Sequence, residues 1–600
     1  MRMTVAEYIA DSIIGHGIDH LFTVVGGGSI FMNDAFGHEK RLTVTYNHHE
    51  QASAIAAEAY YRLNNQMAAV CVTSGPGGTN AMTGCLCAYM GSIPMIVFSG
   101  QVRYPLTVRG QGLDLRSNGE QEYDICRSVA GMTKYCEMVI DPLRIKYSLE
   151  KALFLATSGR PGPVWLDIPL DVQSATIESD ELIAFDHISE GLEEKPRLDR
   201  LTVRKILERI REAERPVLYC GMGVRLSGGY ESFMRLVDRL GIPVTTGMTT
   251  LDCVPNDHPL YAGRPGATGD RPGNFAVQSC DFLLSIGSRL SYKQTGYATD
   301  SWAQHAYKVM VDVDPEELKR EYLHIDMPIC ADAKDFCDVM LDELVESLPR
   351  KKGWIERCKN WLDAYPVVTE ERYHTPDGRG SIYVFYKILS EMMPEGAVYV
   401  TTSGNSRVVC RQAATMKSGQ RVITNHSTSP MGYCLPASIG VCLANESKPI
   451  LLVTGEGGFQ MNIQELQTIR QNKLPVRIVV INNCGYHSIR LTQNAFFGDK
   501  SHVGIGEESG DLSFPDLEKI AYAYGFPYFE SRGIDDLEDT LKGLLAHEGY
   551  AICQVFVTPT QVTEPKASSR RLDDGRLVSA PLEDMAPFLS REELERNMTF

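Results

Sequence analysis

The segment that most constrains this chain of 600 residues is 451–490, LLVTGEGGFQMNIQELQTIRQNKLPVRIVVINNCGYHSIR. An apolar run at 451–453 predicts a buried strand, a helical pattern follows at 460–471, and a second apolar run at 476–481 predicts another strand. This order is typical of a βαβ unit, whose parallel strands place both following loops at the same edge of a sheet. The segment therefore predicts a site built from two loops that are distant in sequence.

The two loops carry groups suited to a metal-bridged diphosphate. Glu456, the Asn483 side chain and the Gly485 carbonyl offer three oxygens to a hard cation, and Mg²⁺ would complete its octahedron with phosphate and water. The first loop also has glycines at a helix N-terminus, where backbone N–H groups can approach an anion. These glycines are Gly455, Gly457 and Gly458. A glycine-rich turn alone is equally typical of tight packing, so the interpretation depends on both loops.

Composition excludes several classes of protein. The net charge of −17, with no basic stretch, argues against nucleic-acid binding. No apolar run reaches the 18 or so residues needed to span a membrane, and the N-terminus lacks the pattern of a signal peptide. The sixteen cysteines are scattered without a C-x-x-C pair, which indicates reduced thiols. We therefore expect a cytoplasmic protein that acts on small molecules.

Short apolar runs alternate with helical patterns along most of the chain. This alternation predicts an α/β fold class with three doubly wound parallel-sheet domains, at 1–180, 195–345 and 365–560. A polar segment at 561–600 predicts a C-terminal arm. In the first domain a loop with Gly26, Gly27 and Gly28 lies between a strand and a helix, and it can contact a ligand or simply allow a tight helix–sheet crossing.

Several motifs together resemble one family. The spacing of Gly455–Gly457 and Asn482–Asn483 resembles the thiamine diphosphate signature, although Glu456 replaces its usual Asp. YNHHEQASAIAAEAY, SGQVR, SGRPGPVWLDIPLDVQ and TSPMGYCLPASIG resemble further segments of the same enzymes. Across nearly its whole length the chain resembles the acetolactate synthase-like thiamine diphosphate enzymes. Within this family it resembles the carboligases of surface-polysaccharide and branched-sugar synthesis.

The resemblance implies roles for three catalytic residues. Glu50 would hold N1′ of the aminopyrimidine ring and favour the tautomer that accepts a proton. The alternative is a carboxylate stabilised only by the helix dipole. Gln101 would lie near the reactive ring. His49 is a candidate proton shuttle, as are His48 and His487, and a structural role is open for each.

The resemblance also implies a set of cofactor contacts. The Ser429 carbonyl would accept from the 4′-amino group, and Met431 would support the bent cofactor, although a Met in such a run is also typical of a core. The metal ligands for Mg²⁺ would be Glu456, Asn483 and Gly485. The other expected contacts to thiamine diphosphate are Gly26, Gly27, Gly28, Gly404, Asn405, Gly455, Gly457, Gly458, Asn483 and Tyr486.

By the same resemblance, the first domain binds the pyrimidine and the third binds the diphosphate. The middle domain holds FAD, an ADP group or nothing in such enzymes, and we expect FAD, with contacts from Arg289 and Asp312. Because the cofactor's two ends would come from different subunits, we expect a homodimer or homotetramer with shared active sites.

The implied reaction is decarboxylation of a 2-oxo acid, most simply pyruvate, with transfer of the C2 unit to an acceptor carbonyl. Glu120 and Thr492 stand where acetolactate synthases carry aromatic residues, so a more polar acceptor such as a nucleotide-linked keto-sugar is expected. The alternatives are true acetolactate synthesis, simple decarboxylation, or a catalytically silent nucleotide-binding homologue. The presence of Glu50 and Asn483 argues against the silent homologue.

Overall fold

The computed structural model describes residues 1–192, 195–401, 403–498, 500–571 and 574–600. It contains three parallel β-sheets with helices on both faces, which confirms the predicted fold class. The exact domain boundaries given above stay a prediction.

The first unit contains a six-stranded parallel sheet and a separate antiparallel pair of strands. Its strands are β1 (Arg2–Thr4), β2 (His20–Thr23), β3 (Thr43–Tyr46), β4 (Ala69–Val72), β5 (Met95–Gln101), β6 (Tyr135–Met138), β7 (Pro163–Pro169) and β8 (Thr176–Glu178). Its helices are α1 (Val5–Gly15), α2 (Ile30–His38), α3 (Glu50–Asn64), α4 (Pro76–Gly91), α5 (Val108–Gln111), α6 (Ile125–Val129), α7 (Ile145–Thr157) and α8 (Leu170–Gln173). The sheet order is β3-β2-β4-β5-β7-β6, and β1 pairs with β8 apart from it. The carboxyl ends of β2, β4 and β5 therefore adjoin.

The second unit is a five-stranded parallel sheet of order β10-β9-β11-β12-β13. Its strands are β9 (Pro216–Cys220), β10 (Val244–Thr246), β11 (Phe282–Ile286), β12 (Tyr307–Asp312) and β13 (Met327–Cys330). Its helices are α9 (Arg200–Glu212), α10 (Gly223–Leu226), α11 (Tyr230–Leu240), α12 (Arg271–Ser279), α13 (Tyr292–Thr295) and α14 (Ala333–Glu343). A connecting helix, α15 (Lys352–Ala364), leads to the third unit.

The third unit is a six-stranded parallel sheet of order β15-β14-β16-β17-β19-β18. Its strands are β14 (Val398–Thr401), β15 (Arg421–Ile423), β16 (Ile450–Gly455), β17 (Val476–Asn482), β18 (Tyr528–Ser531) and β19 (Ala551–Phe556). Its helices are α16 (Ile382–Met392), α17 (Asn405–Ala413), α18 (Cys434–Ala444), α19 (Glu456–Gln460), α20 (Glu465–Gln471), α21 (His487–Phe497), α22 (Leu517–Tyr524) and α23 (Ile534–Ala546). Strands β16 and β17 are neighbours in parallel register, as the βαβ pattern predicts.

The prediction of one helix over 460–471 was wrong, because α19 and α20 are separated by a turn at 461–464. The buried side chain of Asn462 explains the break. It donates to Gln51 Oε1 at 3.0 Å and to the Gly432 carbonyl at 2.7 Å, so the chain turns to bring this amide between two other segments. These contacts join the first and third units.

The C-terminal segment adds the hairpin strands β20 (Ser569–Arg571) and β21 (Leu577–Ser579) and the helix α24 (Arg591–Met598). The end of α24 docks on α15, since Trp361 Nε1 donates to Asn597 Oδ1 at 2.9 Å. The arm therefore packs against the connector between the second and third units.

Helices α3 and α18 form the closest contact between the first and third units. Both are rich in small residues, and a Cβ added to Gly440 would lie 2.0 Å from the Ala56 carbonyl oxygen. The fully buried Glu58 bridges the two helices, accepting from Arg62 on α3 and from Tyr433 Oη at 2.8 Å. Close backbone packing and a satisfied buried charge thus fix how the two units sit.

Candidate active site

The ends of β16 and β17 bring together the three predicted metal ligands. Glu456 begins α19 and is 9% exposed, and its Oε1 accepts from the Gly485 backbone N–H at 2.6 Å. Asn483 is 7% exposed, and its buried Oδ1 has no hydrogen-bond partner among the described residues. Because a buried acceptor is seldom left unpaired, this oxygen marks a place that a ligand fits.

Burial raises the pKa of the Glu456 carboxyl to about 7, against the opposing effect of the Gly485 N–H. A bound cation would favour the ionised form. The set contains one carboxylate, one amide oxygen and a carbonyl, and Gly485 already accepts from the His487 N–H at 2.9 Å through that carbonyl. Oxygen donors with a single charge leave room for phosphate oxygens, so the residues fit Mg²⁺ bridged to a diphosphate.

The loops that carry these three residues pack so closely that two of their positions have no room for a side chain. A Cβ on Gly457 would lie 2.0 Å from the Tyr486 ring. Gly485 adopts φ +127°, and its Cβ would lie 1.9 Å from the Ile505 carbonyl oxygen. The remaining glycines of the first loop are Gly455, which ends β16, and Gly458, whose carbonyl accepts from Cys434 Sγ at 3.4 Å. Gly457 and Gly485 therefore need to be glycine for packing, whatever they bind.

Gly26, Gly27 and Gly28 lie in the loop after β2, and they differ in how closely other residues pack against them. A Cβ on Gly26 or Gly28 would lie within 3 Å of the loop after β4, and the Gly28 carbonyl accepts from Gln173 Nε2 at 2.7 Å. A Cβ on Gly27 would have no neighbour within 4 Å, and this residue is exposed. Tight packing accounts for the outer two glycines, and Gly27 alone presents free backbone to a ligand.

Glu50 is the first residue of α3, and the side chain of His49 caps that helix by accepting from the Gln51 N–H. Glu50 is partly exposed, and its Oε2 accepts from Asn80 Nδ2 at 3.0 Å. The preceding turn is held by the buried Glu465 of α20, which accepts from Asn47 Nδ2 at 2.9 Å. The Glu50 carboxylate is thus oriented by its neighbours and has an oxygen left for a ligand.

Gln101 ends β5 and is fully buried, with its side chain engaged by the protein. Its Nε2 donates to the Tyr123 carbonyl at 2.8 Å and to Asp167 Oδ2 at 3.2 Å, and its Oε1 accepts from the Val102 N–H. Burial raises the pKa of the Asp167 carboxyl to about 7. In this arrangement Gln101 ties the sheet edge to the loop before α6.

Four further predicted contacts lie on two loops of the third unit. Gly404 precedes α17 with φ +79°, and a Cβ there would lie 3.7 Å from Ser488 Oγ at the start of α21. Asn405 Oδ1 accepts from Thr563 Oγ1 at 3.1 Å. Ser429 has φ +52°, which is unusual for a residue with a side chain, and Met431 is partly buried two residues later.

Arg289 and Asp312 lie apart from the metal set, by which we mean Glu456, Asn483 and Gly485. They lie in a cavity of about 280 Å³ at the carboxyl end of the second sheet. Residues of all three units line this cavity, including Gly223, Gly287 and His426. Arg289 Nε donates to Glu317 at 2.8 Å, and burial raises the pKa of Asp312 to about 6.

Of the residues expected to line an acceptor site, Glu120 and Thr492 are both exposed. The Thr492 hydroxyl donates to the Ser488 carbonyl within α21 at 2.9 Å. Arg490 is buried and donates to the carbonyls of Asn483 and Cys484, so it supports the metal-set loop.

Sequence reasoning missed three polar residues that hold the site. Asn80, Glu465 and Glu58 are not among the predicted site residues, although Glu58 lies in the segment YNHHEQASAIAAEAY, which resembles a family motif. That segment was the available signal. Glu465 lies in an ordinary helical pattern, and nothing in the sequence marks it.

The described residues contain no helix that is both long and apolar enough to cross a membrane. They also contain no group of three or more His, Cys, Asp or Glu side chains able to hold a metal ion. The set around Glu456 is of a different kind, since it combines one carboxylate with an amide oxygen and a carbonyl.

Comparison with protein families gives three matches in order. Residues 3–125 match the N-terminal TPP binding domain of thiamine pyrophosphate enzymes. Residues 203–340 match the central domain of these enzymes, and residues 402–555 match their C-terminal TPP binding domain. The matched segments fall on the three sheets in turn.

Curated proteins similar to this chain include acetolactate synthases. The probable acetolactate synthase large subunit of Methanocaldococcus jannaschii is 31% identical, covering 93% of this chain and 92% of its own length. The acetolactate synthase of Arthrospira platensis is 30% identical, covering 93% of this chain and 94% of its own length. The acetolactate synthase large subunit of Porphyra purpurea is 29% identical, covering 93% of this chain and 92% of its own length. The chain therefore belongs to the thiamine pyrophosphate enzymes and is an acetolactate synthase-like member of that family.

Proposed function

We propose that this protein is a carboligase that removes CO₂ from a 2-oxo acid, pyruvate first among them, and joins the remaining C2 unit to an acceptor carbonyl. The observation that supports this most directly is the unpartnered, buried Asn483 Oδ1 beside Glu456. Mg²⁺ bridged to the diphosphate of the cofactor would give both side chains a partner.

When bound, thiamine diphosphate supplies an electron sink for the electrons left by departing CO₂. The protein's own groups bind and orient the cofactor and its cation. Glu456, Asn483 and the Gly485 carbonyl would hold the cation, and Glu50, fixed by Asn80, would hold a proton at the pyrimidine N1′. His49 caps α3 in the structure, so we propose that its contribution is to set the angle of Glu50.

Two acceptors compete for the second half of the reaction. The relatives are named acetolactate synthases, and this supports a second 2-oxo acid as the acceptor. The polar Glu120 and Thr492 in the acceptor segments support a hydroxylated acceptor such as a nucleotide-linked keto-sugar.

The first test is a product analysis. With pyruvate, thiamine diphosphate and Mg²⁺, we expect CO₂ release that depends on the cofactor, and a ligated product when an acceptor is present. The measurement is CO₂ release together with mass spectrometry of the products, with reactions lacking cofactor as the control. Acetaldehyde as the only product from every acceptor would contradict the carboligase proposal and favour simple decarboxylation.

We also propose that the second unit binds FAD in the cavity that contains Arg289 and Asp312. Two glycine turns meet there, since a Cβ on Gly221 would lie 2.2 Å from Ser288 Cα and one on Gly223 would lie 2.8 Å from Gly287 Cα. These close contacts account for the glycines by packing, and the support for a nucleotide is that Gly223, Gly287 and the Arg289 side chain line the same cavity. The purified protein should show the visible absorption bands of oxidised flavin, and a colourless protein after incubation with FAD and gel filtration would refute the proposal.

A homodimer or homotetramer with shared active sites is the third part of the proposal. Large apolar side chains are exposed on the elements that carry the candidate site. They include Val25 (56%), Ile30 (51%), Phe496 (75%) and Phe497 (59%). A contiguous exposed apolar patch is typical of an interface, and the rings of Phe496 and Phe497 lie 6.5 Å apart at the end of α21. Light scattering coupled to gel filtration should give at least twice the 66.7 kDa of one chain. A stable, active monomer would contradict this expectation.

A further inference from the structure

An unpaired positive charge lies beside the loop 425–429. Arg407 on α17 donates through Nη1 to Ser429 Oγ at 2.7 Å and to the Asn425 carbonyl at 3.3 Å. Among the described residues no carboxylate forms a salt bridge with it, although it is only partly exposed. Arg411, one turn later, is buried and donates to the carbonyls of Pro265 and Thr268, and it forms no salt bridge with the described acids either.

The surroundings of this loop are positive on several sides. Burial lowers the pKa of His426 to about 3, and the charges that lower it further are Arg407, Arg411, Lys293 and Arg289. Arg289 is paired with Glu317, and Arg411 lies near the buried Asp270, so part of this charge is offset. No acid of the described part of the chain acts in the same way on Arg407, whose pKa is lowered to about 10 by burial and by Arg411.

An unpaired and partly buried guanidinium is costly, and in folded proteins such groups are normally matched by a carboxylate or a bound anion. Arg407 differs from Arg411 because solvent still reaches it, so a ligand can reach it too. Its planar fork of N–H donors matches phosphate oxygens in two-point geometry. Its hydrogen bond to Ser429 also places it beside the loop proposed to hold the reactive end of the cofactor, whereas the metal set holds the other end.

We propose that Arg407 binds the phosphate group of a phosphorylated acceptor and so selects a sugar phosphate or nucleotide-linked sugar over an uncharged carbonyl compound. This inference rests on the proposed carboligase function. In the reaction the 2-oxo acid loses CO₂, a carbon–carbon bond forms to the acceptor carbonyl carbon, and the acceptor oxygen takes up one proton. Arg407 forms no covalent bond, and its role is to bind and position the acceptor.

The test compares glyceraldehyde with glyceraldehyde 3-phosphate as acceptors, with pyruvate as donor and saturating thiamine diphosphate and Mg²⁺. The measured quantity is the ratio of kcat/KM for the two acceptors. We expect wild type to favour the phosphorylated acceptor by about 100-fold, the loss typical of breaking a charged contact. Arg407→Gln keeps an N–H donor for Ser429 but removes the charge, so the ratio should fall towards one. Arg407→Lys keeps the charge but loses the two-point geometry, so its ratio should lie between those of wild type and Arg407→Gln.

Arg532→Gln is the matched control, since this arginine of the third unit is 74% exposed and pairs with Glu530 at the surface. Its acceptor ratio should equal that of wild type. A wild-type ratio near one, with CO₂ release intact, would overturn the role of Arg407 and leave the carboligase proposal standing. An unchanged ratio in Arg407→Gln together with a raised half-saturating concentration of thiamine diphosphate would assign Arg407 to the cofactor and overturn the inference.

A second measurement does not depend on turnover. Inorganic phosphate, added to protein saturated with thiamine diphosphate and Mg²⁺, should raise the thermal midpoint of wild type and of Arg532→Gln, but not that of Arg407→Gln. Without phosphate, Arg407→Gln should unfold no earlier than wild type, because it removes an unpaired charge. Equal phosphate shifts in all three proteins would overturn the inference even if no CO₂ release were found.

Discussion

Replacing Glu50 by Ala is expected to lower cofactor-dependent CO₂ release by about 10²- to 10⁴-fold, the range typical of losing a positioned acid–base group. The carboxylate is held by Asn80 at the first residue of α3 and is partly exposed, so its loss leaves no cavity in a core. Glu50→Gln should be almost as inactive, because it keeps the shape and loses the acid. Steady-state CO₂ release measures the effect, and thermal unfolding shows whether the variants fold.

The control for this result is Glu518→Ala, which removes a carboxylate from the first turn of α22. If the Glu50 carboxylate only interacted with the dipole of its helix, both substitutions would lower the free energy of unfolding by a similar fraction of a kcal/mol. Neither would change the rate of CO₂ release. A Glu50→Ala protein with wild-type turnover would therefore remove the central residue from the proposed mechanism.

The second large effect concerns Glu456. Glu456→Gln should raise the half-saturating Mg²⁺ concentration by about 100-fold, since removing the charge deprives a divalent cation of its only protein carboxylate in the set. Glu456→Asp restores the residue that the family usually carries and should recover binding. Mn²⁺ binding in the presence of thiamine diphosphate, followed by electron paramagnetic resonance, measures this without turnover. Equal Mn²⁺ affinity in wild type and Glu456→Gln would refute the assignment of this ligand.

The raised pKa of Glu456 gives this site a pH dependence of definite sign. Below about pH 7 the buried carboxyl is protonated in the metal-free protein, so a cation must displace that proton. Apparent Mg²⁺ affinity should therefore fall by about tenfold for each pH unit below 7 and level off above it. The same Mn²⁺ titrations between pH 5.5 and 8.5 check the slope, with these pH limits chosen about 1.5 units to either side of the transition. A flat profile would show that Glu456 is already ionised without metal.

The parts of this molecule that could be predicted from sequence are those fixed by local pattern. The apolar runs at β16 and β17 predict parallel strands, and parallel strands bring Glu456 and Asn483 to one edge whatever the rest of the chain does. The glycines at 457 and 485 belong to the loops that follow these two strands, but their packing against Tyr486 and Ile505 could not be predicted.

The parts that could not be predicted depend on contacts between distant segments. Gln101 looked available to a ligand, yet its amide is held by Asp167, 66 residues away. Glu465 looked like an ordinary helical acid, yet it holds the turn before Glu50 from 418 residues away. The break between α19 and α20 has the same origin, since it follows from the partners of Asn462 in other segments. A periodic pattern contains no information about such partners.

The close fit of α3 against α18 limits how this scaffold can be recombined. A chimera that takes the first unit from one relative and the third from another would have to match the carbonyl of Ala56 to a residue without a side chain at position 440. It would also need a hydroxyl partner for the acid at position 58. Domain exchange among these enzymes should therefore succeed when both helices are transplanted as a pair, and fail when the junction falls between them.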